Sequence, residues 1–561
     1  MALRIPDKLE DATRFCKDLA DECMVTAEER QGVYEKAAQY YYTGSGDVRA
    51  AIHNKVKNFI ERMSGYLYQP GNVRFNTVFN SHEPKDVLDR GRAAGELLTA
   101  EFRSGDADLN FSTAVTWSLN CGCYFLKHVP EGLAFKAVPV HPVNMGVLTE
   151  TTVALDEQEA FCHVSYPTLT KLRTDLIKAG HPNVDAIVDK IMDARRTESD
   201  QGPPTYFHSM VVGGLNPLGD VNQIPAAAGI TQVFPIPTPW RPQRKIAPTL
   251  KHCELWIKDE KTGDYTTMQL IYPDILIQGD KTRVNISGIP EHHPFVKVES
   301  DTTPGYFWGR STIADVQMLQ DVINKRLRDL KITWDRNAAA PYSFSGFTSI
   351  TEESYYKLIS EGGFIADPNP NAKAAKLTEP PPPGYLEELE FLWKMFDESG
   401  GFTPIMTGQG EPGVRAGVHA QTLVRTSSPG LIDPATRIER QAAESGYLCM
   451  RLMQNNDPTM YETDTGIKFL LEQLPEKFQV EVDSHSASPA FAEDSRQIAI
   501  ALAKAQAIGP DDLIEMLHPP NAELLLARLK QRQAAAAKAQ EEAAARGLPP
   551  PGQEHSRSQH R

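Results

Sequence analysis

One stretch constrains this chain more than any other. The run from Gly305 to Pro341 is its longest uninterrupted amphipathic segment. It opens as a glycine-punctuated loop, Gly305-Tyr306-Phe307-Trp308-Gly309-Arg310-Ser311, and Thr312 with Asp315 three residues on then reads as a capping box at a helix N-terminus. Ile313, Val316, Gln320, Ile323, Leu327, Leu330 and Trp334 follow at spacings of three and four. That places them on one face of a helix roughly 35 Å long at ~1.5 Å per residue. Asp321, Lys325, Arg328, Asp329 and Asp335 take the opposite face. Asp315 lies in the first turn and Lys331 and Arg336 near the last, as the macrodipole prefers, and Pro341 stops the helix. A seam of apolar and amide residues with a charged back suits a bundle or ring of like helices, or one helix of an ordinary α domain. Periodicity alone does not separate these.

At 561 residues the chain has room for two to four domains and a sizeable core. No apolar run approaches the ~18 residues needed to span a bilayer, and the charged, proline-interrupted start from Met1 to Leu9 is no signal peptide. Seven scattered cysteines suit a reducing compartment, so a soluble protein assembled in a cytosol is expected. A net charge of −15 makes the surface as a whole repel nucleic acid. It leaves open a passage with sparse basic residues, through which a polyanion would move without sticking.

In chain order, residues 7–68 read as helical, with a second capping box at Thr26 and Glu29 and a helix end at Tyr40-Tyr41-Tyr42-Thr43-Gly44. A strand signal at Val73 and Phe75 precedes helices around 84–103 and 107–120. Cys123 to Lys127 pairs with Phe135 to Val140 across a turn at Glu131-Gly132. Cys253 to Lys258 and Tyr265 to Ile271 make a hairpin with Gly263 in its turn. Residues 200–248, rich in Pro, Gly and Ala, read as an irregular insertion. After the long helix come a compact segment from Tyr342 to Leu377 and a polyproline reset at Pro380 to Pro383. A shorter helix follows with Leu386, Leu389, Trp393 and Phe396 on one face, which makes an out-and-back hairpin. A glycine-rich loop from Gly400 to Arg415, a long helical region from Ala420 to Asn455 and a strand at Lys477 to Val482 follow. Helices in 494–530 and an alanine-rich, disordered-ending tail complete the chain.

Motifs for chemistry are weak. Gly279-Asp280-Lys281-Thr282 lacks the glycines of a phosphate loop. Cys121-x-Cys123 with His128 has the wrong spacing for zinc, and His252-Cys253 and His292-His293 read as structural residues. Asp483, His485 and Ser484 or Ser486 have triad types but adjacent side chains on an extended chain point apart. No catalytic residue, metal or cofactor is expected, and no enzyme.

The order of features resembles the portal, or head-to-tail connector, proteins of tailed bacteriophages. The matching residues are Tyr40-Tyr41-Tyr42-Thr43-Gly44 with Asn54, the run from Trp117 to Lys127, Val138-Pro139, and His141-Pro142. They continue with Glu254-Leu255-Trp256, His293-Pro294-Phe295-Val296, Gly309-Arg310-Ser311 and Gln320 to Asn324. Together they cover most of residues 30–500. The resemblance implies an α+β, mainly helical portal fold in a dodecameric cyclic ring around a channel for double-stranded DNA. It divides the chain into a wing (1–310), a descending stem helix (311–337), a clip (338–383), a returning stem helix (384–398), a channel loop (399–417), a long wing helix and strand (418–490), a crown (491–530) and a tail (531–561). Arg415, Gln409 and Lys394 are the DNA-channel candidates, and Ile313, Val316, Gln320, Ile323, Leu327, Leu330 and Trp334 the candidates for the oligomer seam. It also implies a terminase large subunit, a head-completion or neck adaptor, and capsid and scaffold proteins as partners, and no membrane. The location would be a virion vertex, assembled in the host cytoplasm. The alternative is an oligomeric tail or capsid scaffold protein without a DNA channel.

Overall fold

The computed structural model describes residues 5–46, 51–79, 83–131, 134–178, 183–197, 250–259, 261–272, 274–277, 292–338, 342–348, 369–376, 384–399, 429–463, 466–475 and 477–482, with isolated positions elsewhere. Gln409 and Arg415, the 200–248 insertion, Gly279 to Thr282, Asp483 to Ser486, most of the expected crown and most of the tail lie outside the described residues.

The chain opens with helices α1 (Leu9–Glu29), α2 (Gln31–Thr43) and α3 (Lys55–Leu67), then β1 (Phe75–Val78), α4 (Lys85–Ser104) and α5 (Ala107–Cys121). Strands β2 (Tyr124–Glu131), β3 (Ala134–Val140), β4 (Met145–Val147) and β5 (Ala160–Ser165) lead to α6 (Leu169–Lys178) and α7 (Val184–Thr197). Next come β6 (His252–Lys258), β7 (Tyr265–Ile271), β8 (Ile275–Ile277), β9 (Phe295–Val298) and the long helix α8 (Ile313–Ala338). Beyond it are β10 (Tyr342–Ser345), β11 (Lys373–Lys376), α9 (Tyr385–Ser399), α10 (Pro429–Asn456), β12 (Met460–Glu462), β13 (Lys468–Leu470) and β14 (Gln479–Val482). The fold is α+β and mainly helical.

Local chemistry explains most boundaries. Gly44 ends α2 in the left-handed conformation at φ 71°, its N–H returning to Tyr40 O. Asn54 caps α3 by accepting from Lys57 N at 3.0 Å. The expected capping box at Thr26 and Glu29 is not there, because α1 runs unbroken to Glu29 and Thr26 Oγ1 bonds Cys23 O and Val147 O instead. A hydroxyl inside a helix can turn back on the preceding carbonyl, and this one also ties α1 to β4.

Two antiparallel sheets share the body: β3-β2-β9, and β4-β5-β6-β7-β8. Strand β2 alternates between two cores. Tyr124 and Leu126 join α2–α5, α8 and α10, whereas Phe125 joins α1 and the larger sheet. Lys127 Nζ ties the sheets together by meeting both oxygens of Glu254 on β6 at 2.6 and 2.5 Å. Burial works against ionisation of Glu254, but Lys127 and His163 outweigh it and hold the carboxyl well below the usual carboxylate range. The expected C-terminal strand is β14, and it pairs antiparallel with β1, Phe75 opposite Val482.

The start of α8 is fixed by backbone contact. Gly122, just past α5, and Gly309 both have positive φ, 96° and 69°, and lie against each other's peptides. A Cβ at Gly309 would stand 2.6 Å from Gly122 O, and one at Gly122 would stand 2.8 Å from Trp308 O. Ser311 Oγ then donates to Asn120 O at 2.5 Å, and Thr312 N to Leu119 O at 2.9 Å. Asp315 pairs with Arg310 rather than completing a box with Thr312. Gly309→Ala therefore combines a left-handed backbone with a backbone clash, and is expected to destabilise the fold by about 2 kcal/mol or more. Equilibrium urea unfolding, with the midpoint lowered at unchanged slope, checks this.

Candidate functional site in the α8–α9 hairpin

Helices α8 and α9 run out from the body and back. Arg326 on α8 binds Glu388 on α9 at 2.9 Å, and Tyr385 OH donates to Arg326 O. Ile323, Leu330, Leu389 and Phe396 are buried, with Leu327 and Leu392 packed against the same core.

The loop between α2 and α3 grips both helices. Asn324 Oδ1 accepts from Ile52 N at 3.3 Å and His53 N at 3.1 Å, and its Nδ2 donates to Gly44 O at 2.7 Å. Gln320 accepts from Lys55 N at 3.2 Å and donates to His53 O at 2.6 Å. Tyr40 OH donates to Asp321 Oδ2 at 2.5 Å. On the other helix, Lys55 Nζ donates to Trp393 O at 2.8 Å and Asp397 Oδ2 at 2.9 Å. Burial lowers the Lys55 amine below its usual value, against the opposing pull of Asp397.

This placement corrects part of the expected seam. Ile313, Val316 and Ile323 are buried in the chain's own core, Leu330 is buried too, and Leu327 packs against that core. Gln320 is fully buried against the α2–α3 loop. The side that the periodicity marks as apolar is therefore covered from within the chain at Ile313, Val316, Gln320, Ile323 and Leu330, and partly at Leu327. Trp334 alone of the seven is open, at 58% exposure. Lys394 is exposed and pairs with Glu398 one turn on, at 3.7 Å.

The open apolar residues lie elsewhere on the hairpin. Met318 is 76% exposed and lies two residues from Gln320, about 200° round the helix from the gripped side. Val322 and Ile332, also exposed, share its line. On α9, Phe391 is 61% exposed and stands two residues from Trp393, whose ring is beside His53, and exposed Met395 is one turn further. Trp334 and Leu386, by contrast, continue the lines of Gln320 and Trp393 past the end of the gripping loop. The hairpin thus carries large exposed apolar side chains on both helices, on the side away from the gripping loop. The charges differ as well: α8 carries Lys325, Arg326, Arg328, Lys331 and Arg336 against four aspartates, while α9 carries Glu387, Glu388, Glu390, Asp397 and Glu398 against Lys394.

The signal for the gripping loop was local and easy to pass over. Lys55 and Lys57 stand at the N-terminus of α3, where acidic residues are favoured. Among the described residues no group of three or more His, Cys, Asp or Glu could hold a metal ion, and no helix is long and apolar enough to cross a membrane. All seven cysteines are free and buried. Cys121 lies 3.7 Å from His141, and His128 Nε2 meets Ser445 Oγ at 2.7 Å in the core.

No family model and no curated protein matches this sequence. Among solved structures, one titled as the neck of an empty gene transfer agent particle computed with C6 symmetry is similar at a TM-score of 0.36 and 13% identity, over 83% of this chain and 90% of that one. A second, titled as the virion of a native gene transfer agent particle, is similar at a TM-score of 0.36 and 15% identity, over 89% of this chain and 93% of that one. Overlap this loose assigns neither a fold family nor a function.

Asn324→Leu is expected to cost about 1–3 kcal/mol, because it strands two amides and a carbonyl of the α2–α3 loop in a buried place. The denaturation midpoint of the variant, set beside that of an exposed control such as Lys325→Leu, measures it.

Proposed function

We propose that this chain is a structural protein of a phage-like head-to-tail junction, and within that class a portal subunit. The observation that carries the reading is the out-and-back hairpin with large apolar side chains left open on both of its helices. Apolar side chains left open on a projecting hairpin call for a covering partner, and a second copy whose α8 meets the α9 of the first would repeat head to tail until the ring closes. The cationic second half of α8 and the acidic α9 favour that α8-to-α9 contact between neighbours. The ordered residue matches to portal proteins, from Tyr40 through Asn324, support the same conclusion.

In this reading the hairpin is the stem, and twelve copies surround a channel that double-stranded DNA traverses during packaging and ejection. The residues around β10 and β11 would be the clip and would meet the terminase large subunit. The neck adaptor would follow it, with capsid and scaffold proteins around the wing. The chain would carry no enzymatic activity of its own and would reside at a virion vertex after assembly in the host cytoplasm. Arg415, Gln409 and Lys394 are proposed to meet the DNA, Arg415 as the sole cation of its glycine-rich loop.

The test is the particle mass. Light scattering is expected to give a cyclic oligomer of about twelve chains. Met318→Glu combined with Phe391→Glu should leave a folded protein that no longer forms it, since both residues are already in water in the single chain. A wild-type monomer at micromolar concentration across salt conditions would sink the reading.

A second outcome concerns DNA. Arg415→Glu rings, checked for intact assembly, are expected to package or retain DNA less well, with a shallower dependence on salt than wild type. Packaging and retention equal to wild type would remove Arg415 from the channel.

A further inference from the structure

Lys55 is the first residue of α3, the end of a helix where a cation is disfavoured, and no acidic residue in the first turn offsets it. Its ammonium nevertheless reaches the last two turns of α9, the end where a cation is favoured. There it donates to Trp393 O at 2.8 Å and Asp397 Oδ2 at 2.9 Å, and stands 5.1 Å from the centre of the Phe396 ring and 5.9 Å from that of Trp393. Its own backbone N–H is held by Gln320 of α8 at 3.2 Å. One residue thus joins three helices. Both partners of the ion pair are largely shielded, the Lys55 side chain 15% and the Asp397 side chain 28% exposed, so salt screens the pair less than a surface bridge.

We infer that Lys55 is a positioning residue, which fixes the C-terminal end of α9 to the body of the chain and so sets the orientation of the returning helix. Gln320 and Asn324 hold α8 to the same loop, and Lys55 is the corresponding hold on α9. A lysine at the unfavourable end of its own helix is explained by the helix it serves. The tie stands on this geometry whatever the chain assembles into. It deepens the portal reading only in saying what would hold the returning stem helix in register within each subunit.

Hydrogen exchange of the full-length protein, read by mass spectrometry, tests it. Lys55→Met keeps the apolar stem of the side chain, and is expected to speed exchange of the amides near Asp397 at least about tenfold while β5, β6 and β7 stay protected as before. Asp397→Asn, which leaves α3 untouched, should do the same and serves should the first variant fold poorly. Lys55→Asp and Asp397→Lys each set like charges together and should loosen the end of α9 further. Combined, they place a carboxylate at the start of α3 and an ammonium at the end of α9, both favoured by the helix dipoles, and should restore protection to within about twofold of wild type. Unchanged exchange in Lys55→Met and Asp397→Asn, or a combined variant no better than the worse single one, would overturn the inference. A wild-type protein that is monomeric while Lys55→Met and Asp397→Asn still speed exchange at α9 would count against the ring and not against the tie.

Discussion

The contact between two peptides, at Gly122 and at Gly309, decides where the long helix leaves the body. Both glycines sit in left-handed conformations and are too close for any side chain to intervene. Ser311 and Thr312 complete the joint on the carbonyls at the end of α5. From that point α8 has one direction to go. The segment Gly309-Arg310-Ser311 thus has a physical meaning: close approach, an ion pair to the first turn through Asp315, and a hydroxyl for an orphan carbonyl.

Once α8 is launched, its orientation depends on polar residues rather than on oil. Gln320 and Asn324 are buried amides serving backbone groups of the α2–α3 loop, groups that no helix or sheet would otherwise satisfy. Apolar contacts alone would let a helix slide or rotate at small cost, whereas five directed hydrogen bonds permit one register. The hairpin therefore projects as a defined object, and its unfilled faces have defined positions. That definition is what makes a repeating contact between copies physically plausible, since a ring closes only if each subunit presents the same angle.

Much of the architecture was legible in the sequence. The period of 3.6 in Ile313 to Trp334, the alternation in Cys253 to Ile271 and the turn at Gly263 each encode their element locally, and α8, β6 and β7 lie where those patterns put them. The failure at Thr26 and Glu29 has an equally local form. A Thr with a Glu three residues on is a start signal only where a helix is free to start, and α1 was already running, held against β4 by packing the sequence does not display.

For the candidate site, the sequence determined that α8 has an apolar and amide stripe; it could not determine what fills it. A stripe of that kind buries equally well against the same chain or against a copy, because burial free energy depends on area removed from water and not on whose atoms cover it. Only the tertiary structure assigned Ile313, Val316, Gln320 and Ile323 to the chain's own core, and left Met318, Val322, Ile332, Phe391 and Met395, which the stripe excluded, as the open surface. The role of Lys55 was hidden for the same reason. Its misfit at the head of α3 is written in the sequence, but Asp397, the residue that resolves the misfit, lies 342 positions away along the chain and meets it only once the chain has folded.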